Sequence, residues 1–231
     1  MSRSLHAIVF DFDGVIANSE PLHLLAFQQV LREDGIELSA PDYYHHYLGY
    51  DDIGVFEAVA RARGLAADAG RTAALVARKG TKLQSLMESG AVLFPGALDF
   101  IRRAAAAVPI AIASGALRHE IDDIIAAAGA AKLFTAIVAA GDTPLSKPAP
   151  DPYRLAFERL QQETGRTLDP RRCVAIEDSR WGLESARAAG LRCVALTTSY
   201  PAHELPGAEL VADGLHTLTM QALDGLCAGA S

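Results

Sequence analysis

Two aspartates separated by a single residue, Asp11-Phe12-Asp13, close the apolar run His6–Phe10 and are followed by Gly14. In extended backbone, residues two apart point to the same side, so both carboxylates face one way and Phe12 the other. Unpaired buried charge is costly, so a buried strand does not normally end in two ionisable groups on one side. Asp-Gly after a strand is also ordinary turn chemistry. A calcium loop is excluded, because Val15-Ile16-Ala17 offers no further oxygen ligands at regular steps.

Three further groups follow apolar runs in the same way. Ser114-Gly115 places a hydroxyl and an exposed N–H where a helix begins, which suits an anion, although serine is also a common N-cap. Lys147 lies in Ser146-Lys147-Pro148-Ala149-Pro150-Asp151-Pro152, where the prolines stiffen the loop around it. Glu177-Asp178 follow Arg172–Ile176; an N-cap role for Asp178 and a helix-dipole role for Glu177 are the plain alternatives. Together these residues describe a phosphoryl-transfer site. Carboxylates hold Mg²⁺, a ligand phosphate completes its shell, and the lysine and cation neutralise the transferring group.

Such a site needs strands that deliver all four groups to one edge. His6–Phe10, Pro109–Ala113, Ala136–Ala140, Arg172–Ile176 and Arg192–Leu196 are short runs without polar alternation, as expected of strands covered on both faces. Helical stripes alternate with them. Ile121, Ile124, Ile125 and Ala128 precede Gly129, and Tyr153, Ala156, Phe157 and Leu160 follow Asp151-Pro152, read as N-cap and first helical residue. Leu183 and Ala186 share the face of a helix that Gly190 ends. The alternation from about residue 95 to 212 predicts a doubly wound, mostly parallel α/β sheet, in which ligands bind at strand carboxyl ends. Between the first two strands, Leu22 to about Met87 carries only helical patterning, with Phe56, Val59, Ala60 and then Leu83, Leu86, Met87 as stripes. The expected division is therefore a core of residues 1–16 and 94–231 and an all-helical insert over 17–93.

Composition narrows the partners. The 231 residues are 50% hydrophobic and 21% charged, enough for a sizeable core. The net charge of −7 disfavours nucleic acid and anionic lipid. The longest apolar run, Ala104–Ala113, is interrupted by Pro109 and falls short of the ~20 residues a membrane span needs. A signal peptide is not expected, since Ala7–Phe10 runs into Asp11. Cys173, Cys193 and Cys227 show no metal spacing and suit core positions in a reduced cytoplasm.

In their order along the chain, these residues resemble the four signature motifs of the haloacid dehalogenase superfamily. The opening Asp11-Phe12-Asp13-Gly14-Val15-Ile16-Ala17-Asn18-Ser19-Glu20-Pro21-Leu22-His23 is similar to the branch holding β-phosphoglucomutase and the sugar-phosphate and phosphoglycolate-type phosphatases. That resemblance implies a Rossmann-like core with a helical cap inserted after the first motif, closing over a small phosphorylated metabolite. It implies Asp11 as nucleophile, Asp13 as general acid and then base, and Ser114, the Gly115 N–H and Lys147 on the phosphate. Mg²⁺ would be held by Asp11, the Asp13 carbonyl and Asp178, with Glu177 assisting because Gly182 stands where some relatives have a second carboxylate. Asp13 argues against the dehalogenating and phosphonate-cleaving members.

The resemblance also points to Glu20, His23, Gly49, Tyr50 and Lys79 as substrate contacts of the cap. Lys79 sits in an Arg78-Lys79 run that is most simply a solvated face. Asp51 and Asp52 after Tyr50 would repel a second phosphate, where the mutase has an arginine nearby. The expectation is a Mg²⁺-dependent phosphatase, with a phosphosugar mutase and a non-catalytic sugar-phosphate binder as alternatives. A monomer is expected, a dimer being the other case. His45 and His46 are adjacent on a helix and diverge by ~100°, a poor metal pair. Trp181 is read as helix–sheet packing.

Overall fold

The computed structural model describes residues 4–47, 50–65, 68–87 and 93–229. The chain divides into two compact units, Met1–Asn18 with Leu93–Ser231, and Ser19–Val92. Among the described residues, six short strands build the first unit: β1 (Ala7–Phe10), β2 (Ile110–Ala113), β3 (Ala136–Val138), β4 (Cys173–Glu177), β5 (Arg192–Leu196) and β6 (Leu210–Ala212). They form one all-parallel sheet in the order β3-β2-β1-β4-β5-β6. The chain runs outward from β1 to β3 and then returns to start again at β4 on the other side of β1. This reversal opens a crevice at the carboxyl ends of β1 and β4. Every residue of β1, β2 and β4 is buried, which is why their sequences do not alternate.

The second unit is helical: α1 (Glu20–Glu33), the single turn α2 (Ala40–Asp42) running into a π-turn at Tyr43–Tyr47, α3 (Asp52–Ala62) and α4 (Ala69–Met87). Phe27, Val30 and Leu31 of α1 pack with Phe56 and Val59 of α3 in a core of its own, Phe27 meeting Phe56 edge to face at 5.2 Å. Asp51 caps α3, its carboxylate accepting from Gly54 N.

Helices α5 (Ala97–Ala105), α6 (Arg118–Ala127), α7 (Asp151–Thr164), α8 (Arg180–Ala188) and α9 (Met220–Cys227) belong to the sheet unit. Tyr153, Ala156 and Leu160 of α7 and Leu183 and Ala186 of α8 are fully buried in its core. Gly129 and Gly190 follow α6 and α8 with φ of +66° and +83°, the left-handed region that ends helices.

Several local readings shift. β3 stops at Val138, not Ala140, and β4 runs one residue further, so Glu177 is its last residue. The N-cap of α8 is Ser179, whose hydroxyl accepts from Gly182 N, not Asp178. Pro150 precedes α7, and Asp151 is its first helical residue. β6 has no counterpart in the apolar runs because it is a three-residue edge strand only partly buried. Trp181 lies half-buried on the surface, its ring under the Arg180 guanidinium at 4.2 Å and edge-on to Tyr200 at 6.4 Å. The three cysteines are buried free thiols.

Candidate active site

Asp11 stands immediately after β1, its N–H bound to the Ile176 carbonyl of β4 at 2.9 Å. The chain then turns sharply. The Phe12 carbonyl accepts from Val15, Ile16 and Ala17 at 3.3, 2.8 and 2.9 Å, and Gly14 takes a φ of +78°. Phe12 itself is fully buried. The Phe12 ring thus lies in the core and Asp11 at the crevice, and the chain turns at Asp13-Gly14 instead of running on extended as the Asp-x-Asp reading assumes.

Lys147 comes from the loop after β3, 136 residues along the chain. Its Nζ donates to Asp11 Oδ1 at 2.7 Å and to Glu177 Oε1 at 2.6 Å, and sits 5.0 Å above the centre of the Tyr153 ring. Burial opposes its charge, but the carboxylates of Asp11 and Glu177 prevail and hold it protonated above the usual lysine range.

Glu177 is fully buried and accepts five hydrogen bonds. Oε1 takes Lys147 and the Tyr153 hydroxyl at 2.9 Å, and Oε2 takes Asp178 N, Ser179 N and Ser179 Oγ at 3.0–3.1 Å. A carboxylate offers about four lone-pair sites, so Glu177 would bind a cation directly only by releasing a donor. Gly182 makes room for it: a Cβ there would lie 1.7 Å from Glu177 Oε1. Any side chain at 182 would therefore begin inside the volume that the Glu177 carboxylate fills.

Asp178 is 5% exposed and accepts from Ser199 Oγ. Carboxylate oxygens of Asp11, Glu177 and Asp178 all lie within 4.8 Å of one another. With one ammonium among three carboxylates, negative charge is in excess. Burial, then Glu177, push the Asp11 carboxyl up to about 7 against the pull of Lys147, and burial, Glu177 and Asp11 push Asp178 well above the carboxylate range. Oxygen donors that repel one another around one point are the chemistry a hard divalent cation such as Mg²⁺ satisfies, so the donor set fits that ion.

Ser114 lies just past β2, the strand paired to β1 with Phe10 opposite Ile112. Its N–H binds the Val138 carbonyl and its Oγ accepts from Ala116 N, both at 3.0 Å. Gly115 is exposed, with open space where a side chain would be. The first unit thus gathers Asp11, Lys147, Glu177 and Asp178 in direct contact or within a few ångströms, with Ser114 and Gly115 on the adjacent strand end. Asp13 is close enough to Asp11 to oppose its ionisation.

In the helical unit, Lys79 is 1% exposed and bound to both Asp52 oxygens at 2.8 and 3.0 Å and to His23 Nδ1 at 2.9 Å. It is no solvated-face lysine, because it continues the buried stripe Leu75–Lys79–Leu83 of α4. His23 is held neutral: burial, then the Lys79 charge, lower it to about 3. Glu20 accepts from the Tyr43 hydroxyl at 2.5 Å. Tyr50 is 57% exposed. Gly49 lies outside the described residues. His45 and His46 are exposed. Sequence reasoning missed Tyr153 and Ser199 as partners of the acidic pair, and Asp52 as the partner of Lys79. Tyr153 carried one signal, a hydroxyl on a stripe otherwise apolar.

An acidic centre with a single lysine, set at the switch point of a parallel sheet, defines an enzyme of the Rossmann-like α/β class. The chain belongs to the haloacid dehalogenase-like hydrolase family, whose model matches residues 5–190. It is 35% identical over 208 residues to Protein CbbY of Rhodobacter capsulatus, covering 85% of this chain and 87% of the relative. It is 27% identical over 187 residues to fructose-1-phosphate phosphatase YqaB of Escherichia coli, covering 81% and 94%. A solved structure of a mutant CbbY from Rhodobacter sphaeroides in complex with xylulose-(1,5)-bisphosphate superposes with a TM-score of 0.82 at 28% identity, over 95% of this chain and 99% of that one.

Proposed function

We propose that this chain is a Mg²⁺-dependent phosphatase that hydrolyses a small phosphorylated metabolite, a sugar phosphate or a phosphoglycolate-like ester, through an aspartyl-phosphate on Asp11. The observation that carries the reading is Lys147 bound between Asp11 and Glu177, beside Asp178, at the carboxyl ends of β1 and β4. The named relatives support the substrate class: one is a fructose-1-phosphate phosphatase and another was solved with a sugar bisphosphate.

In the first half-reaction an Asp11 carboxylate oxygen attacks phosphorus and the ester oxygen leaves, taking a proton from Asp13. In the second, Asp13 removes a proton from water as that water attacks phosphorus, releasing inorganic phosphate and the Asp11 carboxylate. Such positioned proton transfer contributes about 10²–10⁴-fold. Lys147 opposes the upward shift of the Asp11 carboxyl and orients it, and Glu177 and Tyr153 hold Lys147 and its partner carboxylate in place. Ser114 and the Gly115 N–H receive phosphate oxygens. Asp11, Asp178 and the Asp13 carbonyl would hold Mg²⁺, which when bound supplies positive charge for the phosphoryl oxygens. The helical unit selects the leaving alcohol. Hydrolysis is preferred to transfer within a phosphosugar because the acidic pair Asp51-Asp52 after Tyr50 would repel a second phosphate.

The test is a phosphate-release screen over sugar phosphates, phosphoglycolate and nucleotides, with and without Mg²⁺, on wild type and Asp11→Asn. Release that requires Mg²⁺ and vanishes in a folded Asp11→Asn protein is expected. Metal-independent release or an active Asp11→Asn variant overturns the reading. Conversion of a hexose 1-phosphate to the 6-phosphate without free phosphate makes the protein a mutase. Tight ester binding without turnover makes it a binder.

A further inference from the structure

The strand next to β4 also reaches this site, through a loop that carries no acidic or basic signature. β5 ends in Thr197-Thr198-Ser199-Tyr200. Thr198 Oγ1 donates to the Gly14 carbonyl at 2.5 Å, and Ser199 Oγ donates to Asp178 Oδ2. The chain turns directly after β5, and its two consecutive hydroxyls grip two different loops. A Cβ on Gly14 would lie 1.8 Å from Asp178 Oδ2 and 3.0 Å from Ser199 Oγ. The loops after β1, β4 and β5 therefore converge on one carboxylate, and Gly14 is bare because that carboxylate and hydroxyl fill the space beside it. Tyr200, the next residue, packs edge-on to Trp181 of α8 and fixes the loop from behind.

We propose that Ser199 is a positioning residue for the cation, setting its affinity by locking the rotation of Asp178. This rests on Asp178 being a cation ligand, as proposed above. The terminal torsion of an aspartate is broad and two-fold, so an unrestrained carboxylate swings between orientations. Mg²⁺ tolerates little of that, because it demands near-octahedral geometry at about 2.0–2.1 Å. A hydroxyl on Oδ2 fixes the plane and leaves Oδ1 for the ion. Being neutral, it does so without competing for the site, as a lysine or arginine would. Thr198 holds Gly14 in the same frame, next to the Asp13 carbonyl that would complete the ligand set.

The experiment is a Mg²⁺ titration, followed by calorimetry in the absence of substrate, of wild type, Ser199→Ala and Ser199→Thr. Loss of an outer hydrogen-bond partner typically weakens metal binding about 10–100-fold. Ser199→Ala is expected to raise the Mg²⁺ Kd by about tenfold or more, and Ser199→Thr, which keeps the hydroxyl, to bind as wild type does. Melting temperatures of the three metal-free proteins report any general effect on folding. Wild-type affinity in Ser199→Ala overturns the proposal. So does an equal loss in Ser199→Thr, or a loss of affinity matched by a large fall in metal-free melting temperature, since loop packing would then be responsible. A wild type that binds no Mg²⁺ overturns the cation reading of the site itself, a different failure.

Discussion

Lys79 donates to both carboxylate oxygens of Asp52 although 27 residues separate them, and its third proton goes to His23 Nδ1. An ammonium has three donors, so Lys79 is fully engaged inside the helical unit. Removing one member of a fully buried ion pair costs about 3–5 kcal/mol, because the other charge is left without compensation. Asp52 is one-third exposed, so about half that cost is expected for Asp52→Ala. Lys79→Met, which leaves only a partly exposed carboxylate, is expected to cost less, and the double variant less than the sum. Urea denaturation of the four proteins gives the coupling energy, expected at about 1–2 kcal/mol. Additive losses would mean that the pair contributes nothing.

His23 extends this cluster into a pH dependence. Because its Nδ1 accepts from Lys79, the neutral ring carries its proton on Nε2. Its folded pKa of about 3 lies below the unfolded value of 6.5, so the unfolded chain takes up the proton first as pH falls. Stability from uncharged His23 is complete above about pH 6.5 and is lost toward pH 3, by at most about 1.4 kcal/mol per pH unit. His23→Asn should flatten the acid limb of a stability–pH curve measured by denaturant unfolding. Parallel limbs for the two proteins would show that His23 is not the group responsible.

Much of the fold and the site is legible in the sequence, and the exceptions have physical causes. β1, β2 and β5 follow from their apolar runs to within one residue, because strands buried on both faces must be apolar throughout. β6 is a partly exposed edge of three residues and leaves no such trace. Asp11 and Lys147 stood out as polar groups at strand ends. Their direct contact did not, since it spans 136 residues. Lys79 was misread because Arg78 beside it truly is solvent-facing, pairing with Glu33 and Asp34. Only the phase of α4 separates the two. Ser199 offers nothing to a sequence reader, since a serine in a loop after a strand is commonplace.

Gly182 supplies a sharper test of the acidic pair. A side chain there meets the Glu177 carboxylate, with Cβ only 1.7 Å from Oε1. Gly182→Ala must therefore move Glu177, which would loosen Lys147 and Tyr153 together. The expected result is a drop in phosphate release of about 10²-fold, as for other ångström-scale misplacements, with a stability loss of about 1–3 kcal/mol from overpacking. Gly182→Asp, which installs the carboxylate some relatives carry, is expected to be at least as damaging. A Gly182→Asp enzyme with wild-type turnover would mean that Glu177 is free to move aside.

The charge excess at the site predicts how the protein responds to its cation. Asp178 is held well above the carboxylate range by burial and by Glu177 and Asp11, so its ionised form opposes folding when no cation is present. Asp178→Asn removes that opposition and keeps the shape. The metal-free variant should melt no lower than metal-free wild type. Wild type should gain about 2.7 kcal/mol at a Mg²⁺ concentration 100 times its Kd. For a chain of this size that corresponds to about 5–10 °C in Tm. Asp178→Asn should lose nearly all of this gain, because the ligand rather than general ionic strength supplies it. Scanning calorimetry in EDTA and in Mg²⁺ reads both effects, with a matched concentration of Na⁺ as the ionic control. An equal Mg²⁺ shift in the two proteins would place the cation elsewhere on the chain. A strongly destabilised Asp178→Asn in EDTA would mean that its bond to Ser199, and not its charge, dominates at that position.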